Sequence, residues 1–179
     1  MRSLIAIAAI VLASCSEDDG RQVSAFDEIE DDSSLSIQLY RGRCLTDCPD
    51  YYLTIKGDGT VEYCGIGFVE HKGPREGSIS TASVRALFDQ IIASGFLDMQ
   101  DEYIARITDH PTYIVKVSYD DVSKSLTDYV GVRVGMPEVV TELEDAIDQV
   151  SGAEKWIGLD ENRSEYNREL FPCPDPKIL

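Results

Sequence analysis

The sequence predicts a two-layer α+β domain: an antiparallel β-sheet with two main helices packed on one face. Three observations carry this. Apolar and polar residues alternate with the period of half-buried strands at Leu35–Tyr40, Tyr51–Ile66 and Tyr113–Tyr119. Two other stretches carry apolar residues at helical spacing, Thr81–Ser94 and the segment after Pro137. The order strand, hairpin, helix, hairpin, helix places antiparallel strands on one side and helices on the other. The chain has 179 residues, 43% of them hydrophobic, which suits one domain with a tail and excludes wholesale disorder.

Leu35, Ile37 and Leu39 alternate with Ser36, Gln38 and Tyr40 in the first strand. The next two strands meet at Gly57-Asp58-Gly59. A three-residue loop there pairs Ile55 with Val61 and Leu53 with Tyr63, so the apolar residues share a face, with Gly59 supplying the left-handed position. The first helix buries Val84, Leu87, Phe88, Ile91 and Ile92, is capped by Ser80 and is followed by Gly95. Phe96 to Tyr103 reads as a helical turn or loop. Tyr113, Val115, Val117 and Tyr119 form a further strand, turning at Asp120-Asp121 into Ser123–Val130. The second helix points Val140, Leu143, Ile147 and Val150 inward and Glu142, Glu144, Asp145 and Asp148 outward. Gly152 stops it, and Trp156-Ile157 docks on the sheet beyond.

The N-terminus reads as an address. After Met1-Arg2, residues 3–13 are small or apolar and uncharged, too short a run to cross a bilayer as a helix. Leu12-Ala13-Ser14-Cys15 resembles the lipobox of bacterial lipoproteins. The resemblance implies cleavage before Cys15, a membrane anchor through lipid on its sulfur, and, with Ser16 next, the outer membrane facing the periplasm. Glu17–Asp32 holds eight acids and one Arg, a composition that favours a solvated tether. The expected organisation is a signal peptide at 1–14, lipidated Cys and acidic tether at 15–33, the α+β domain at 34–158 and a C-terminal tail at 159–179.

Cys44-x3-Cys48-Pro49-x-Tyr51, followed by the Gly-Asp-Gly hairpin, resembles a bacterial family of uncharacterised domains, often found in envelope lipoproteins. The similarity continues through the Val84–Ile92 helix, Tyr103, Asp109-x-Pro111-Thr112 and the Trp156 region, spanning residues 35–158. Family members usually carry a Gly between the two cysteines, where this chain has Leu45, Thr46 and Asp47. The resemblance implies a fold and a location but no activity.

With Cys15 set aside for lipid, Cys44, Cys48, Cys64 and Cys173 allow three pairings in an exported chain. Cys64 follows Tyr63 and so points away from the core, where the tail with Cys173 can reach it, and Cys44 and Cys48 can close a small loop. Cys44–Cys48 with Cys64–Cys173 is the pairing we expect. A thiol–disulfide role for Cys44 and Cys48 is the alternative. Against it, the spacing is x3 rather than x2, and Pro49 and a strand follow instead of a helix N-terminus.

The balance of 33 acids against 16 bases, net −17, argues against nucleic acid and against electrostatic adhesion to anionic lipid. Two histidines and no Gly-x-Ser-x-Gly, Ser-x-x-Lys or His-Glu-x-x-His pattern leave no catalytic motif. The expectation is a non-enzymatic, monomeric envelope protein without metal or cofactor, binding a protein or surface polymer. Tyr103, Asp109 and His110 form the one polar cluster to inspect, while His71 reads as an exposed loop residue. The same charge suggests a second expectation, an inhibitor steered onto a basic, lysozyme-like hydrolase.

Overall fold

In the computed structural model, residues 32–163 and Cys173 are described. The predicted signal segment, lipidation site and most of the tether and tail lie outside these residues. Seven strands form one sheet: β1 (Ser36–Arg41), β2 (Asp50–Lys56), β3 (Thr60–Gly67), β4 (Gly73–Ser78), β5 (Glu102–Ile104), β6 (Tyr113–Tyr119) and β7 (Val122–Tyr129), in the order β4-β3-β2-β1-β6-β7-β5. All neighbours are antiparallel except β5, which runs parallel to β7. Helices α1 (Thr81–Ala93), α2 (Glu138–Ser151) and α3 (Glu154–Ile157) complete the α+β fold, packed on one sheet face.

The hairpin register is the one that the apolar faces require. Leu53 lies opposite Tyr63 and Ile55 opposite Val61. Gly59 has φ 90°, and Asp58 Oδ1 accepts from Thr60 N at 2.8 Å. Ile37 and Leu39 of β1, Val115 and Val117 of β6 and Leu126 of β7 extend the same face, all fully buried. From α1, Val84, Leu87, Phe88 and Ile91 close over it, with Ile92 half-buried; Ser80 caps the helix by accepting from Ser83 N at 3.0 Å. Pro137 precedes α2, and Gly152 ends it at φ 65°. Trp156 of α3 packs against Tyr63 in a tilted arrangement with ring centroids 5.2 Å apart, and its carbonyl accepts from His71 N at 2.9 Å, leaving His71 half-buried rather than exposed.

Two strands have no apolar signature. β4 (Gly-Pro-Arg-Glu-Gly-Ser) is fixed by pairing with β3 and by Trp156, whose ring leaves only 3.0 Å for a Cβ at Gly77. β5 falls at the end of the segment expected to be loop, after a short 3-10 turn at Phe96–Asp98. Of the α2 acids expected to point outward, Glu142 and Asp145 do, whereas Glu144 and Asp148 are drawn inward. Glu144 is 1% exposed, and the Asp148 side chain is 21% exposed. Both lie one helical turn apart in line with Val140, so they share the flank of its buried stripe.

Candidate functional site

Strand register sets a row of polar side chains across the core face at one end of the sheet. Tyr51 of β2 lies opposite Arg41 of β1, Arg41 opposite Tyr113 of β6, Tyr113 opposite Asp128 of β7, and Asp128 opposite Tyr103 of β5. Helix α2 covers this row. Arg41 donates from Nε to Asp148 Oδ2 and from a terminal nitrogen to Asp145 Oδ1, each at 2.7 Å, and its guanidinium stacks 4.6 Å from the Tyr113 ring centroid. The Tyr51 hydroxyl donates to the other Asp148 oxygen at 2.7 Å. The side chain of Asp145 is 71% exposed, so the Asp148 contact is the stronger tie between helix and sheet.

Burial by itself disfavours the Arg41 cation, but Asp148, with Tyr51, Glu144 and Tyr113, outweighs it and raises the guanidinium pKa. Burial, then the Asp148 charge, raises Tyr51. Burial also raises Asp128, against the Gly131 N–H that donates to its Oδ1 at 2.6 Å and the Arg41 charge. Glu144 is the member of the row without a hydrogen bond, and the Arg41 charge offsets its burial only in part. Neither of its oxygens has a hydrogen-bond partner, and burial, followed by repulsion from Asp128, pushes it up to about 8. At neutral pH this carboxyl is mostly protonated. The row therefore acts as a lock between sheet and helix, with one proton stored in it.

Above the same end of the sheet, three loops meet. The Cys44–Cys48 bridge, with Cα atoms 5.5 Å apart, shapes the loop after β1. Arg43, Cys44, Leu45 and Thr46 of that loop line a depression of about 430 Å³ with Phe68 from the β3–β4 loop and Asp109 and His110 from the β5–β6 loop. Phe68 (φ 50°) and Asp109 (φ 70°) both occupy the left-handed region. Asp tolerates it, but a bulky residue such as Phe is an outlier there, held by its surroundings. Leu45 stands 74% exposed at the rim. Beneath the loop, Asp50 is 4% exposed; burial pushes it up to about 6, against Arg43 and a hydrogen bond from Tyr40.

Of the predicted polar cluster, Asp109 and His110 share this depression, and Tyr103 does not line it. Its buried ring ends the row instead, its hydroxyl accepting from Gln100 N at 3.3 Å. Asp109 accepts from the Thr108 hydroxyl at 3.0 Å. Cys64 bonds Cys173 on the face away from the helices, Cα atoms 5.6 Å apart. Both bridges match the expected pairing. Among the described residues, no group of three or more His, Cys, Asp or Glu could hold a metal ion.

A family model matches residues 35–151, described as a domain of unknown function, DUF6438. The chain belongs to this family. The matched segment contains both the row and the depression, whereas α3 and Cys173 lie beyond it. No curated protein matches the chain.

Arg41, Glu144 and Asp148 are the residues that sequence reasoning missed. Arg41 had a signal: it continues the inward series Leu35, Ile37, Leu39 at the next core-facing position. The α2 acids had the four-residue spacing from Val140. Nothing in the local sequence marks Phe68.

Proposed function

We propose that this is a non-enzymatic, lipid-anchored protein of the bacterial envelope, probing its surroundings with the depression lined by Arg43, Leu45, Thr46, Phe68, Asp109 and His110. The observation that carries the reading is the pair of disulfides, which fits a domain that matures in an oxidising compartment. The lipobox-like Leu12-Ala13-Ser14-Cys15 supplies the anchor, and the acidic segment after it links the anchor to the domain. The occupant is a protein or surface polymer. A mixed rim of aliphatic, cationic and hydroxyl groups offers contacts to either, and the bridge fixes the rim before binding, which limits the ordering cost.

Two measurements test this. Metabolic fatty-acid labelling with and without globomycin should show lipid on the wild-type chain and none on Cys15→Ala; a labelled, membrane-bound Cys15→Ala chain would refute the anchor. A photo-crosslinking residue at Leu45, activated in intact cells, should yield a discrete adduct that the same residue at Ala82 on α1 does not. Equal adducts from both positions would remove the depression from consideration.

A further inference from the structure

The two edges of the sheet are built differently. β4 is blunted by Pro74, Arg75 and Glu76, as exposed edges commonly are. β5 is not. Asp101 O accepts from Thr127 N and Ala105 N donates to Tyr129 O, so the alternate residues Glu102 and Ile104 turn their backbone N–H and C=O outward, where no described strand pairs with them. Ile104 is 51% exposed there. The 3-10 turn Gly131–Val134 packs beside β5 so closely that a Cβ on Gly131 would come within 2.7 Å of Tyr103 Cβ. That turn adds Val132 and Val134, 51% and 50% exposed.

Charge at this edge runs against the rest of the molecule. Arg106 follows β5, and Arg133 lies between the two valines; both are exposed. Every other described Arg or Lys is engaged by an acid, a carbonyl, a ring or another neighbour. Arg106 and Arg133 have no such contact among the described residues. Asp101, the nearest acid in β5's approach, is already taken by Lys124, leaving Glu102 as the acid on the edge.

We propose that the β5 edge, with Val132, Arg133 and Val134 beside it, docks an extended polypeptide segment that alternates apolar and carboxylate side chains and joins the sheet as an additional strand. The outward groups of Glu102 and Ile104 supply main-chain hydrogen bonds, the aliphatic side chains supply apolar contact, and Arg106 and Arg133 select the acidic partner. A membrane surface is disfavoured, because a chain of net −17 is repelled by anionic headgroups and free backbone groups find no strand in lipid.

The full chain is titrated by NMR with a short synthetic peptide alternating valine and glutamate, with its lysine counterpart, and with a glutamate peptide N-methylated at alternate amides. The glutamate peptide should shift amides of Glu102–Arg106 and Gly131–Val134 selectively, and the other two should bind at least about tenfold more weakly. Arg106→Glu with Arg133→Glu should weaken the glutamate peptide by a similar factor while leaving the melting temperature unchanged, since both side chains are exposed. Equal binding of the lysine or N-methylated peptide overturns the proposal, as does indifference to the double variant. Binding to phosphatidylglycerol vesicles without peptide binding would assign the edge to lipid. Self-association abolished by Ile104→Glu, again without peptide binding, would assign it to a second copy.

Discussion

Replacing Glu144 by Gln should stabilise the protein at neutral pH and do little in acid. Folding raises this carboxyl from the ordinary 4.5 to about 8, so the unfolded chain gives up the proton long before the native one does. The stability that the protonated form allows is fully present below pH 4.5 and is lost as the pH rises toward 8. At 1.36 kcal/mol per unit, the loss is about 3 kcal/mol by pH 7 and below about 1 kcal/mol at pH 5. Glutamine keeps the shape and the unpartnered polar atoms but removes the charge, so the difference between variant and wild type isolates the ionisation. Urea denaturation of both chains at pH 5 and pH 7 measures it, because other titrating groups largely cancel between them. A stabilisation at pH 7 exceeding that at pH 5 by about 2 kcal/mol is expected. If Glu144→Gln is no more stabilising at pH 7 than at pH 5, the carboxyl is ionised and solvated in the native protein, and the stored proton does not exist.

Other substitutions probe the same architecture. Asp148→Ala strips Arg41 and Tyr51 of their shared acceptor and should cost about 3 kcal/mol in the same assay, whereas Asp145→Ala, on the exposed side, should cost under about 1 kcal/mol; equal losses would show that the row does not lock the helix. Cys64→Ser with Cys173→Ser opens a bridge separated by 109 residues and should lower stability by up to about 5 kcal/mol, far more than Cys44→Ser with Cys48→Ser at roughly 2 kcal/mol; non-reducing peptide mapping of the parent should find both pairs. Val130 sits at φ 54°, where a β-branched residue is strained, so Val130→Asn should raise stability by about 1 kcal/mol, read as a higher urea midpoint. If the acidic charge steers a basic hydrolase, stoichiometric protein should inhibit such an enzyme at low salt and lose that inhibition at physiological salt; no inhibition at low salt removes the inhibitor idea.

The strands and helices that carry their own periodicity were legible in the sequence, together with how they face each other. Of loops of two, three or four residues, the three-residue one puts Leu53, Ile55, Val61 and Tyr63 on one side, so the hairpin register follows from the demand that apolar groups share a face. The Cys64–Cys173 pairing followed from the same register, because it turned Cys64 away from the core. Ser80, Gly95 and Gly152 mark helix ends through groups that act on their nearest neighbours, which is why local reading sufficed for them.

The tertiary structure alone decided what depends on partners distant in sequence. β4 is a strand because β3 offers an edge and Trp156 crowds Gly77, not because Gly-Pro-Arg-Glu-Gly-Ser favours extension. Arg41 finds Asp148 across 107 residues and Tyr51 finds it across 97. On a helical wheel an acid beside an apolar stripe reads as solvated, and Glu144 became buried because the sheet reaches past that stripe. The depression likewise joins three loops at one end of the sheet, with the left-handed Phe68 brought into its lining. Periodicity reports which face of an element is apolar; which polar groups are drawn in with that face depends on how far the facing layer extends, and that is fixed only when the layers meet.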